Sequence, residues 1–188
     1  MGMDWSAVFA EGLSYGSFLE RYATPPQRER WDALHARFGL SAEQKALLGG
    51  FTRRMPVLCL AGAWCGDCIN QCPVFDHFAQ AAPAIDLRFL DRDAQTDVRE
   101  ALMINGGYRV PVVLFLSEDW LEVARYGERT LSVYRRIAAE KLGPACPTGI
   151  VAPPQDALVS VAAEWLAEFE RVQLLLRLSP RLRQKHGD

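Results

Sequence analysis

The sequence predicts an α/β protein: a central mixed sheet with flanking helices, and further helices at both ends. Three observations carry this. Val57–Ala61 is a continuous apolar run, the mark of a strand covered on both faces. From there, strand and helix periods alternate as β-α-β-α-β-β-α, which implies a parallel pair first and an antiparallel hairpin last. The stretches before Phe51 and after Pro154 show only helical spacing of their apolar residues.

At 188 residues the chain suits one domain with additions and is long enough to bury a full core. Its net charge of −2 and interspersed signs give no case for nucleic acid or membrane binding. The short basic tail Arg177–Lys185 reads as a solvated end. The first residues lack a basic start, a long apolar core and a cleavage motif, and no run approaches the length of a membrane span, so a cytosolic location is expected. In that compartment five cysteines, an odd number, argue against a structural disulfide framework and for catalytic or metal roles.

Asp4 to Tyr22 reads as short helical pieces anchored by Trp5, Val8, Phe9, Phe18, Leu19 and Tyr22. Thr24-Pro25 offers a cap followed by a first-turn proline. Trp31, Leu34 and Phe38 then follow at helical spacing up to Gly39. Ser41-Ala-Glu-Gln44 is a capping box, opening a helix that runs to roughly Phe51. These pieces make 1–50 a helical extension and leave 51–142 for the sheet domain.

Within that domain the strands fall at Val57–Ala61, Ile85–Leu90, Pro111–Leu116 and Leu121–Tyr126. Helices are expected over 66–82, 97–104 and from Thr130 to about Leu142. Asn105-Gly-Gly107 reads as a helix-ending turn, not a phosphate cradle. Residues 143–154, rich in proline, read as a strap. Over 155–178 the stripe Leu158, Val161, Trp165, Phe169, Val172 and Leu176 reads as a helix face docked on the core and ended by Ser179-Pro180.

The chemistry sits in Trp64-Cys65-Gly66-Asp67-Cys68, between the first strand and the helix after it. Cysteines at this spacing can close a small disulfide ring. At a helix start, Cys65 also meets unpaired N–H groups and the positive end of the helix dipole, which favour its thiolate. A thiolate with a built-in partner is what thiol–disulfide exchange requires. The Asp67 carboxylate, lying between the sulfurs, is expected to act against that thiolate.

This element order resembles the thioredoxin family, as do Ala63-Trp64-Cys65-Gly66-Asp67-Cys68 at the end of a strand, Val110-Pro111 opening the third strand, and the late hairpin with its helix. The match covers about Phe51 to Leu142. The resemblance implies a thioredoxin-like fold and dithiol chemistry with no added cofactor. Cys65 would attack, Cys68 would resolve the mixed disulfide, and Pro111 would be a cis-proline beside them. Trp64 would shield one side, and the Val110 backbone would pair with an extended substrate segment, taking affinity from main-chain bonds. The partners implied are a disulfide-containing protein or small-molecule substrate and an electron donor that the sequence does not name. Two departures stand out. Asp67 occupies the usual proline position, and Cys59 stands where a buried aspartate usually helps to deprotonate the resolving sulfur.

A second reading stays open. Cys65, Cys68 and Cys72 share one helical face and could hold part of a zinc or iron–sulfur site, although no fourth ligand has motif spacing. The third possibility is a scaffold for protein interaction. Cys72 and Cys59 read as small core hydrophobes, and Cys146 as an oxidisable loop thiol. Arg109 reads either as a neighbour favouring the thiolate or as a solvated loop residue. His35, His77 and His186 have no catalytic or ligand spacing, and the first two read as half-buried helix residues.

Overall fold

The computed structural model describes residues 2–142 and 156–188, so the proline-rich strap and Cys146 lie outside the described residues. Four helices come first: α1 (Trp5–Ala10), α2 (Tyr15–Tyr22), α3 (Pro25–Arg37) and α4 (Ala42–Gly49). Their starts follow the sequence signals. The Asp4 carboxylate and the Ser14 hydroxyl accept helix N–H groups, and Thr24/Gln27 and Ser41/Gln44 form capping boxes.

The sheet domain contains β1 (Met55–Ala61), α5 (Gly66–Ala81), β2 (Ile85–Asp91), α6 (Thr96–Ala101), β3 (Val112–Leu116), β4 (Glu122–Gly127) and α7 (Leu131–Leu142). Strand order is β2-β1-β3-β4, with β1 parallel to β2 and antiparallel to β3, and β3 antiparallel to β4. This is the expected parallel pair and terminal hairpin. The Asn105–Gly107 stretch is a tight turn, with Asn105 and Gly106 at positive φ and Ile104 and Gly107 exchanging backbone hydrogen bonds. On the outer edge of β2, Leu13 makes a single antiparallel bridge to Phe89, so the N-terminal helices attach to the sheet through one residue pair of backbone.

Register places Cys59, Phe89 and Phe115 on one sheet face. Helices α2, α5 and the long α8 (Ala157–Leu178) cover that face. Phe18 packs on Phe89, Cys72 on Cys59 and Phe169 on Phe115. The docked stripe expected for the final helix is present, with Val161, Trp165, Phe169, Val172 and Leu176 buried. The N-terminal helices and α8 therefore share one core with the sheet.

The chain does not end as a solvated tail at Ser179-Pro180. Ser179 closes α8 and also caps a further helix, α9 (Pro180–His186), whose first residue is the proline. Leu182 is buried, Arg181 pairs with Asp119, and Lys185 and His186 pair with Glu118. A proline after a serine cap begins a helix as readily as it ends one.

Candidate active site

Strand β1 delivers the chain to Gly62-Ala63-Trp64, and Cys65 becomes the N-cap of α5, in extended conformation. Gly62 leaves no room for a side chain, since a Cβ there would lie 2.8 Å from the Trp64 indole. Trp64 is half exposed and lies under the Arg92 guanidinium, 4.5 Å from its ring centre. Arg92 also donates to the Tyr108 carbonyl at 3.2 Å, tying this aromatic rim to the loop before Val110.

The Cys65 thiol donates to the Val110 carbonyl at 3.6 Å, and the Val110–Pro111 peptide is cis. Residues some 45 apart in sequence are thus brought together as the resemblance implied. The Gly127–Glu128 peptide is cis as well. Gly127 is packed so closely on this loop that an added Cβ would strike the Pro111 carbonyl.

The sulfurs of Cys65 and Cys68 differ in access and in charge. Cys65 retains 8 % exposure and Cys68 has none. Burial alone would raise Cys68, but the neighbouring Cys65 and Cys72 thiols and a hydrogen bond from the Gly62 N–H, 3.5 Å away, bring it down to about 5. The neighbouring Cys68 sulfur, and then burial, push Cys65 up, against helix-start N–H groups that pull the other way. Cys68 is thus lowered and Cys65 raised, so the first negative charge belongs to the pair of sulfurs and not to the helix-start thiol alone. Two thiols so closely joined ionise as a unit, one proton lying between them.

Asp67 adds a small opposing field at Cys68. Its carboxylate is engaged by the Arg129 guanidinium at 2.7 Å. Arg129 also meets Glu128 at 3.3 Å, and Arg109 meets the same carboxylate at 3.2 Å. Arg109 is thus committed to Glu128 and is not a free cation over the sulfurs. Tyr134 donates to Glu128 as well, at 2.9 Å. Two arginines and a tyrosine compensate this buried carboxylate, forming a charged border along one side of the dithiol.

Two tryptophans brace the site from outside the sheet domain. Trp31 of α3 donates from its indole to the Ala63 carbonyl at 2.9 Å. Trp165 of α8 donates to the Gln71 side chain at 2.7 Å, and Gln71 in turn donates to the Asp67 and Glu128 carbonyls. Sequence reasoning named both tryptophans only as packing anchors and passed over Gln71, Glu128, Arg129 and Tyr134. The bonds that tie this group to the dithiol turn, Trp31 to Ala63, Trp165 to Gln71, Gln71 to Glu128 and Arg129 to Asp67, span 32 to 94 residues, so no local spacing announces them.

Behind Cys68, Cys72 follows one helical turn later on α5, and the Cys59 sulfur of β1 lies 3.8 Å from that of Cys72. Among the described residues, no group of three or more His, Cys, Asp or Glu side chains is placed to hold a metal ion. His35 and His77 are half-buried and stacked at 4.2 Å, with His35 bonded to Asp76 at 2.8 Å. No helix among the described residues is long and apolar enough to cross a membrane.

A family model described as Thioredoxin matches residues 12–141, starting within the N-terminal helices. No curated protein matches the chain. Among solved structures, a protein of unknown function from Pseudomonas aeruginosa superimposes with a TM-score of 0.69 at 19 % identity, covering 91 % of this chain and 97 % of that one. An HIV epitope-scaffold superimposes with a TM-score of 0.63, also at 19 % identity, covering 91 % of this chain and 93 % of its own. These likenesses show the fold. With the family match over most of its length, the chain belongs to the thioredoxin family.

Proposed function

We propose that the protein is a thiol–disulfide oxidoreductase that reduces disulfides through Cys65 and Cys68. The observation that carries this is the placement of the more accessible thiol at a helix start, beside the Val110 carbonyl and the cis Pro111, with a charge-stabilised sulfur directly behind it. Cys65 passes its proton to the Cys68 thiolate as its own sulfur attacks a substrate disulfide, releasing the first substrate thiolate. Cys68 then attacks the Cys65 sulfur of the mixed disulfide. Its proton leaves with the second substrate thiol, and a Cys65–Cys68 disulfide remains. The substrate is a protein or small-molecule disulfide, an external thiol donor re-reduces the pair, and the work belongs in a reducing compartment such as the cytosol.

An insulin-reduction assay with dithiothreitol as donor tests this. Wild type should accelerate turbidity, Cys65→Ser should abolish the acceleration, and Cys68→Ser should accumulate a mixed disulfide at Cys65. A Cys65→Ser protein as active as wild type would overturn the assignment.

A further inference from the structure

The reaction uses two thiols, yet four gather at the start of α5: Cys65 at its N-cap, Cys68 and Cys72 buried behind it, and Cys59 on the facing strand with its sulfur 3.8 Å from that of Cys72. Cys72 sits one helical turn after Cys68 on α5, and Cys59 lies on the facing strand β1. All of Cys59, Cys68 and Cys72 are fully buried. Closing the 3.8 Å contact between Cys59 and Cys72 into a bond of about 2.05 Å asks for only a small approach of two side chains. No dissolved oxidant reaches them directly, so oxidation must arrive through Cys68.

We propose that Cys59 and Cys72 form a second dithiol couple that exchanges with the Cys65–Cys68 pair through Cys68, so that the protein delivers four electrons, not two, before it needs re-reduction. The proposal rests on the Cys65–Cys68 reading for its first step. Once a substrate disulfide has oxidised that pair, the Cys72 sulfur attacks the Cys68 sulfur. A Cys68–Cys72 bond forms, the Cys65–Cys68 bond breaks, and the Cys72 proton goes to Cys65. Cys59 then attacks the Cys72 sulfur. A Cys59–Cys72 bond forms, Cys68 leaves, and the Cys59 proton goes to Cys68. Two electrons and two protons have moved outward, the surface pair is reduced again, and the substrate disulfide remains the only oxidant.

The direction of flow follows from the surroundings. Burial pushes both inner thiols up, so their reduced form gains nothing from a stabilised thiolate, whereas the reduced outer pair does. A couple without that stabilisation is the better reductant.

The test is to treat reduced full-length protein with excess oxidised glutathione, quench with acid, alkylate the remaining thiols and map the disulfides by mass spectrometry. The expected result is two internal disulfides, 65–68 and 59–72, with the second forming at least tenfold more slowly in Cys68→Ser. Cys65→Ser, which removes the same route, replaces that variant if its circular dichroism shows misfolding. A 65–68 disulfide with Cys59 and Cys72 still alkylatable after denaturation would overturn this inference and leave the proposed function standing. Equal rates of 59–72 formation with and without Cys68 would overturn it too. If no 65–68 disulfide forms, the proposed function itself fails, and the inference with it.

Discussion

At Cys68, burial and hydrogen bonding pull in opposite directions, and hydrogen bonding wins. The consequence for stability has a definite sign. A group lowered to about 5 in the folded protein and near 9 when unfolded leaves the unfolded chain holding the extra proton between those values. Stability of the reduced protein should therefore rise from pH 5 toward pH 9 and be lost as pH falls through 5, by at most about 1.4 kcal/mol per pH unit. Urea unfolding of reduced wild type and Cys68→Ala across that window measures it. Parallel pH slopes in the two proteins would contradict the lowered ionisation. Arg129 provides a second handle, because it masks Asp67 at 2.7 Å. Arg129→Ala should unmask that carboxylate, raise the first ionisation of the dithiol and make the protein a stronger reductant. Thiolate absorbance against pH, with equilibration in glutathione buffers, reads both. A fall in that ionisation would show that Asp67 does not act on the sulfurs. The Cys65–Cys68 pair was legible in the sequence because its signal is a short spacing beside a strand, while the cis Val110–Pro111 peptide was expected only through the family resemblance. Arg129 was not, because its partner Asp67 lies 62 residues away.

Among the elements, α5 is held from both ends of the chain. Trp165 reaches Gln71 from one side, while Trp31 fixes the turn just before Cys65 from the other. Trp165→Phe keeps most of the ring packing against Phe75 and Tyr126 but leaves the buried Gln71 oxygen without its donor. A lost partner of that kind costs about 1–3 kcal/mol. Denaturant melts should show this loss, and Gln71→Leu combined with Trp165→Phe should cost less than the two changes added. Strict additivity would mean the bond contributes nothing of its own. The hydrophobic stripe of α8 was readable from its period, since packing on one face leaves that period in the sequence. The polar bracing was not, because a glutamine at position 71 looks the same whether it meets solvent or an indole. At α9 the sequence signal was two-valued: the same Ser-Pro pair ends one helix and begins the next.

For the whole molecule, the helical ends complete the thioredoxin-like sheet instead of decorating it. Helix α8 supplies Trp165, Phe169 and Leu176 to the face that holds Phe75, Phe78 and Phe115. Its Gln173 side chain accepts the N–H groups of Thr52 and Arg53 and donates to the Arg53 carbonyl, fixing the backbone that leads into β1. Its Glu164 carboxylate accepts the Ser132 N–H in the first turn of α7. Each large apolar side chain buried contributes roughly 1.5–3 kcal/mol, so the α8 face alone rivals the 5–15 kcal/mol net stability of an ordinary domain. A chain truncated after Pro154 should therefore be insoluble or melt far below the full protein. The damage should reach the chemistry too, because Gln71 and through it the Asp67 turn lose their brace. Thermal melting and Cys65 alkylation rates on whatever soluble fraction remains would read the two effects separately. A truncated protein with an unchanged melting curve would assign α8 to a partner, and one that melts early yet alkylates normally would confine its role to packing.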